Sequence, residues 1–151
     1  MADTIMVAYS FNEDNPLNVP KELRAITELV QQTKCKIDPL PKANQFQLEN
    51  RFMLLKQDIL IFHFAGHAGN ASIELNDGFS EEMFFTDMKV FSEIIAADAT
   101  ALRLVFLNGC STKDQSEYLR SQKVPAVIST TLPLDDIYAL RFAHLFYSRL
   151  Q

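Results

Sequence analysis

Tryptophan is absent from this 151-residue chain, glycine occurs four times and cysteine twice. No apolar run approaches the roughly 20 residues of a membrane-crossing helix. Each scarcity excludes something. A dinucleotide fingerprint wants three glycines within one tight turn, and a phosphate-cradling loop wants glycines followed by Gly-Lys-Ser/Thr. Neither pattern can be drawn through Gly66, Gly69, Gly78 and Gly109. Two cysteines as far apart as Cys35 and Cys110 form no disulfide framework, and the simplest reading is a reducing cytoplasm with both thiols free. The N-terminal residues carry no basic stretch followed by an apolar run, so no secretory signal is visible. Fourteen Lys plus Arg against nineteen Asp plus Glu give a net charge of -5, with the signs interspersed, which argues against a nucleic-acid surface.

What is present is an ordinary globular composition, 48% hydrophobic and 22% charged. The length fits one domain spanning residues 1–151, able to bury roughly 68 to 70% of its unfolded surface without a metal or disulfide staple. Ile5 to Tyr9 reads as a buried strand, followed by a helix from about Pro20 with Leu23, Ile26 and Val30 on one face. Lys36 to Leu40 reads as a short strand. Asn44 with Gln47 forms a capping-box pattern ahead of Leu48, Phe52 and Leu55, which recur at helical spacing. Asp58 to Ala65 is almost continuously apolar, the pattern of a central parallel strand covered on both faces.

Ala71 to Leu75 with Asn76-Asp77-Gly78 suggests a small hairpin. Helices are expected over Asp87 to Ala97, Lys113 to Gln122 and Asp135 to Leu150, and strands over Leu102 to Leu107 and Ala126 to Thr130. The alternation predicts an α/β fold, with a mostly parallel central sheet and helices on both faces.

In such a sheet, sites gather beyond the carboxyl ends of the strands. One central strand runs into Ala65-Gly66-His67-Ala68-Gly69 and another into Asn108-Gly109-Cys110-Ser111-Thr112. If these strands are neighbours, about 4.8 Å apart, a histidine and a cysteine fall within reach of each other. A free thiol is only about 3% thiolate at neutral pH, and an adjacent imidazole or helix N-terminus raises that share. His67 is thus a candidate general acid/base and Cys110 a candidate nucleophile, with the N–H groups of Ala68 and Cys110 as candidate oxyanion-hole donors. Cys35 reads as an inert structural thiol, His63 as a packed, hydrogen-bonded histidine within its strand, and His144 as a partly exposed helix residue. His63 and His67 are four apart, but in a strand that spans roughly 13 Å, too far for two imidazoles to share one zinc. No metal or other cofactor is expected.

Three motifs resemble a known family. Ile61-Phe62-His63-Phe64-Ala65-Gly66-His67-Ala68, Leu104-Val105-Phe106-Leu107-Asn108-Gly109-Cys110-Ser111-Thr112, and Val124-Pro125-Ala126-Val127-Ile128 with Asp135-Asp136 before a helix ending Phe146-Tyr147 look like a CHAT domain. CHAT domains are caspase-like cysteine peptidases related to separase. The resemblance runs from about Ile59 to the C-terminus. It implies a caspase-haemoglobinase-like three-layer sandwich, a dyad of His67 and Cys110, and peptide-bond hydrolysis through an acyl-enzyme. It also implies that an acidic residue at Asp136, or at Asp135 as second choice, shapes a pocket for a basic residue before the scissile bond. A helix N-cap is the competing role for Asp135. Where the family often has glycine after the histidine, this chain has Ala68. Relatives are commonly fused to tetratricopeptide repeats, STAND-type ATPases or other sensors in bacterial conflict systems. The expectation is therefore an N-terminal, cytoplasmic effector domain of a longer chain, acting on protein or peptide substrates in antiviral defence, with no direct nucleic-acid or membrane partner. The alternatives are a non-catalytic caspase-like interaction module and, more remotely, a TIR-like nucleotide-processing domain.

Overall fold

The computed structural model describes residues 3–10, 19–69, 72–77, 83–109, 112–131 and 135–150. Five strands form the main sheet: β1 (Thr4–Tyr9), β2 (Lys36–Leu40), β3 (Ile59–Ala65), β7 (Leu104–Asn108) and β8 (Ala126–Ile128). A separate three-stranded sheet holds β4 (Ala68–Gly69), β5 (Ser72–Asn76) and β6 (Met83–Asp87). The helices are α1 (Val19–Val30), α2 (Gln45–Leu55), α3 (Met88–Asp98), α4 (Lys113–Ser121) and α5 (Asp136–Ser148).

All pairings in the main sheet are parallel, in the order β2-β1-β3-β7-β8. The first two strands by sequence are swapped in space, so the order reverses between β1 and β3. That reversal is the topological switch point of an open α/β sheet. Alternate residues of the central strands face opposite layers. Ile5, Val7, Tyr9, Ala65 and Phe106 pack with Ile26 and Val30 of α1 and with Ala143 and Tyr147 of α5. Met6, Ala8, Phe62, Phe64, Val105 and Leu107 pack on the other face with Leu48 and Phe52 of α2, Phe91 and Ile95 of α3 and Leu119 of α4. The result is the expected three-layer arrangement.

The local signals that set these elements are visible. Asn44 Oδ1 accepts from Gln47 N at 2.9 Å while Gln47 Oε1 accepts from Asn44 N, the predicted capping box. Asp87 and Asp135 cap α3 and α5 through Lys89 N and Ile137 N. Phe91 and Ile95 carry the packing of α3, and Val90 is exposed.

The second sheet is the main departure from the sequence reading. β5 pairs antiparallel with both β4 and β6, and Ile73 and Leu75 sink into the core beside α2 and α3. The chain between β3 and α3 is therefore a small sheet of three strands, one of them two residues long, where a simple hairpin was expected. Gly78, assigned to that hairpin's turn, lies outside the described residues. Among the described residues, no helix is long and apolar enough to cross a membrane.

Candidate active site

The registers bring three strand ends level at one edge of the sheet. Tyr9 of β1 lies opposite Ala65 of β3, and Ala65 lies opposite Asn108 of β7. The next residues, Ser10, Gly66 and Gly109, pack backbone against backbone. Ser10 N donates to Ala65 O at 3.1 Å. A Cβ on Gly66 would stand 2.9 Å from Ser10 O, and a Cβ on Gly109 would stand 2.7 Å from Gly66 O. Both positions need glycine because another chain passes there, closer than any side chain allows.

His67 follows Gly66 directly and is half-buried. Its carbonyl accepts from Glu74 N of β5 at 2.9 Å. In the antiparallel pattern this bond implies, Ala68 and Ile73 face each other without exchanging hydrogen bonds, so the Ala68 N–H is directed away from β5. Glu74 O in turn accepts from the Ser10 hydroxyl. The small sheet thereby ties the His67 segment to the end of β1.

Beyond β7, Cys110 and Ser111 lie outside the described residues. The chain on either side of them is held firmly. Thr130 Oγ1 donates to Gly109 O at 2.6 Å, Thr112 Oγ1 accepts from Thr130 N at 2.7 Å, and Thr112 is fully buried. Gly109 and Thr112 are thus both tied to Thr130 in the segment following β8.

Beneath this edge lies a buried polar network. Glu22 of α1, His63 of β3, Asn108 of β7 and Tyr147 of α5 are all buried. Glu22 Oε1 lies 2.7 Å from His63 Nε2 and accepts from Asn108 Nδ2 at 2.6 Å. His63 Nδ1 lies 3.0 Å from Tyr147 Oη, and Asn108 Nδ2 also donates to Ala139 O of α5 at 3.1 Å. A carboxylate can only accept, so His63 Nε2 carries a proton and donates it to Glu22. Both imidazole nitrogens are occupied, which agrees with the packed role expected of His63 and leaves neither for a metal. Burial, reinforced by the Glu22 carboxylate, pushes the Tyr147 and Tyr9 hydroxyls well above the usual phenol range. The network joins both helices of one layer to the two central strands at the level where the turns begin.

A family model for the CHAT domain matches residues 10–151. The chain belongs to the CHAT family. No curated protein matches it closely. Among solved structures it is similar to the Drosophila initiator caspase Dronc, with a TM-score of 0.57 at 13% identity over 95% of this chain. It spans 65% of that caspase chain. It is also similar to an NAD(P)H:quinone oxidoreductase from Methanothermobacter marburgensis, with a TM-score of 0.53 at 9% identity over the whole of both chains. At such identities the likeness concerns the fold alone.

The other residues singled out in this CHAT domain occupy distinct places. Asp135 Oδ1 accepts from Ile137 N at 3.0 Å, so its side chain serves as the N-cap of α5. Asp136 is half-buried in the first turn of that helix, one turn before Ala139, whose carbonyl meets Asn108. The start of α5 therefore sits beside the end of β7. Cys35 is half-buried against the layer of α1 and α5, remote in sequence from either turn. His144 is exposed.

Sequence reasoning missed Glu22 and Thr130 as organisers of the edge and read Asn108, Thr112 and Tyr147 only as parts of motifs. One signal was available. A histidine in an otherwise apolar strand needs partners for both ring nitrogens, and those partners must come from the covering helices.

Proposed function

We propose that this CHAT domain is a cysteine endopeptidase in which His67 and Cys110 form the reacting dyad. The observation that carries the reading is the level exit of β3 and β7, with Ala65 opposite Asn108 and the following glycine turns in backbone contact. His67 stands two residues beyond Ala65, and Cys110 two residues beyond Asn108 in sequence.

In the proposed reaction the Cys110 thiol gives its proton to the His67 imidazole, and the sulfur attacks the scissile carbonyl carbon. Negative charge developing on the carbonyl oxygen is met by the N–H groups of Ala68 and Cys110. The imidazolium then returns the proton to the leaving amine, and a thioester remains. Water, deprotonated by His67, hydrolyses the thioester and regenerates the thiol. Asp136 is the preferred acidic wall for a basic residue before the scissile bond, because the Asp135 carboxylate is already engaged as a helix cap. Fusion to a sensor, activation by it, and service as an effector in prokaryotic defence belong to the same proposal.

Cys110→Ala and His67→Ala are expected to abolish peptide cleavage while leaving the melting curve in place, and Cys35→Ala to keep activity. A thiol-directed peptide electrophile should label Cys110 selectively. Full cleavage by Cys110→Ala overturns the proposal in favour of a docking module that uses the same fold.

A further inference from the structure

The outer face of α5 is unlike that of an ordinary surface helix. Its inner side packs Ala143 and Tyr147 into the core, so the opposite side should be polar. Instead Ile137, Tyr138, Phe142 and Leu145 are 53%, 61%, 42% and 58% exposed, and Tyr138, Phe142 and Leu145 follow one another at helical spacing. Beside this stripe, between α5 and α1, runs a groove of about 440 Å³ lined by Lys21, Ala25, Leu140, Arg141, His144 and Leu145. Contiguous apolar surface of this kind marks an interaction site.

The charge around the groove identifies what it takes. The chain is acidic overall, at -5, yet from Ile137 to the C-terminus it carries Arg141, His144 and Arg149 and no carboxylate side chain. The described lining of the groove carries Lys21, Arg141 and His144 and no carboxylate. Among the described residues, Lys21 and Arg141 have no ion-pair partner. Two cations thus flank an apolar trough between two helices.

We infer that this groove docks an amphipathic, acidic helix of a separate partner protein, with apolar residues at i, i+4 and i+7 against Leu140 and Leu145 and carboxylates facing Lys21 and Arg141. A concave trough between helices suits a helix laid along it, whereas a membrane surface needs a convex or flat apolar face. A second copy of this chain fits less well. Meeting this face through its own α5, it would set Lys21 and Arg141 against the same cations of the other copy. The described lining of the groove does not include His67, and the inference does not rest on the proposed peptidase reaction.

The test uses a fluorescein-labelled synthetic helix with leucines at i, i+4 and i+7 flanked by glutamates, titrated with the whole chain and followed by anisotropy. The glutamate peptide should bind, more weakly as salt rises, and the same helix with lysine flanks should bind at least about tenfold more weakly. Leu145→Glu, and Lys21→Glu combined with Arg141→Glu, should each weaken binding about tenfold or more, the scale of losing one buried leucine. Leu54→Glu on α2 should leave binding intact, and circular dichroism of each variant checks its folding. Equal binding of the lysine peptide, or binding of neither, overturns the inference. So does uptake by phosphatidylserine vesicles in place of the peptide, or a dimer that Leu145→Glu dissolves.

Discussion

Gly109→Ala is the most direct test of how the two turns depend on each other. The added methyl would stand 2.7 Å from the backbone oxygen of Gly66. A C–H···O contact is comfortable at about 3.3 Å or beyond, so the turns must part by about 0.6 Å. Little can yield. Gly109 O is held by Thr130 Oγ1 at 2.6 Å, the neighbouring Ala68 Cβ would be 3.5 Å from the new methyl, and Gly66 is itself wedged against Ser10 O and Phe64. Overpacking of this kind costs about 2 kcal/mol, which for a domain of this size lowers Tm by roughly 4 to 8 °C. The functional effect is expected to be larger in proportion. His67 and Cys110 directly follow the two glycines, and a misplacement approaching 1 Å costs roughly ten- to a hundredfold in rate. Calorimetry, peptide cleavage and the rate of Cys110 alkylation together read out both effects. An unchanged Tm with unchanged cleavage would refute the claim that backbone contact between the turns positions the dyad.

Three further outcomes are expected. Glu22→Leu removes the acceptor from His63 Nε2 and one of the two from Asn108 Nδ2, and should lower stability by about 3 kcal/mol in urea titration; a loss under about 1 kcal/mol would mean the network is dispensable. The raised phenol pKa values of Tyr9 and Tyr147 mean the folded state keeps protons that the unfolded state releases above about pH 10, so stability is full below that pH and falls as pH rises through it. Tyr147→Phe should flatten that alkaline fall by up to about 1.4 kcal/mol per pH unit in urea midpoints. Finally, Asp136→Asn should raise KM for substrates with arginine before the scissile bond more than for neutral ones, while an equal effect on both would remove Asp136 from the specificity pocket.

Much of the main sheet was legible because its signals are local. An apolar run such as Ile59–Ala65 declares a strand covered on both faces, and the Asn44–Gln47 pair declares a helix start, whatever the rest of the chain does. The candidate dyad was legible for a related reason: in a chain with few glycines, His67 and Cys110 each stand beside one just past a strand. The small sheet was legible only as a hairpin around β5. β4 has only two residues, too few to show any period, and β6 pairs with β5 in a register that the intervening sequence does not announce.

The sequence by itself determined which segments are strands and helices, that two strands end in glycine turns bearing a histidine and a cysteine, and that the motifs are those of a CHAT domain. Only the tertiary structure decided that β3 and β7 are neighbours with their ends level, that Gly66 and Gly109 touch, and that Glu22, His63, Asn108 and Tyr147 meet beneath them. The physical reason is range. Hydrophobic periodicity and capping are set by residues a few positions apart, whereas a buried carboxylate is tolerable only where donors from distant strands and helices converge on it. That convergence is a property of the packed layers, and no local stretch of the chain records it.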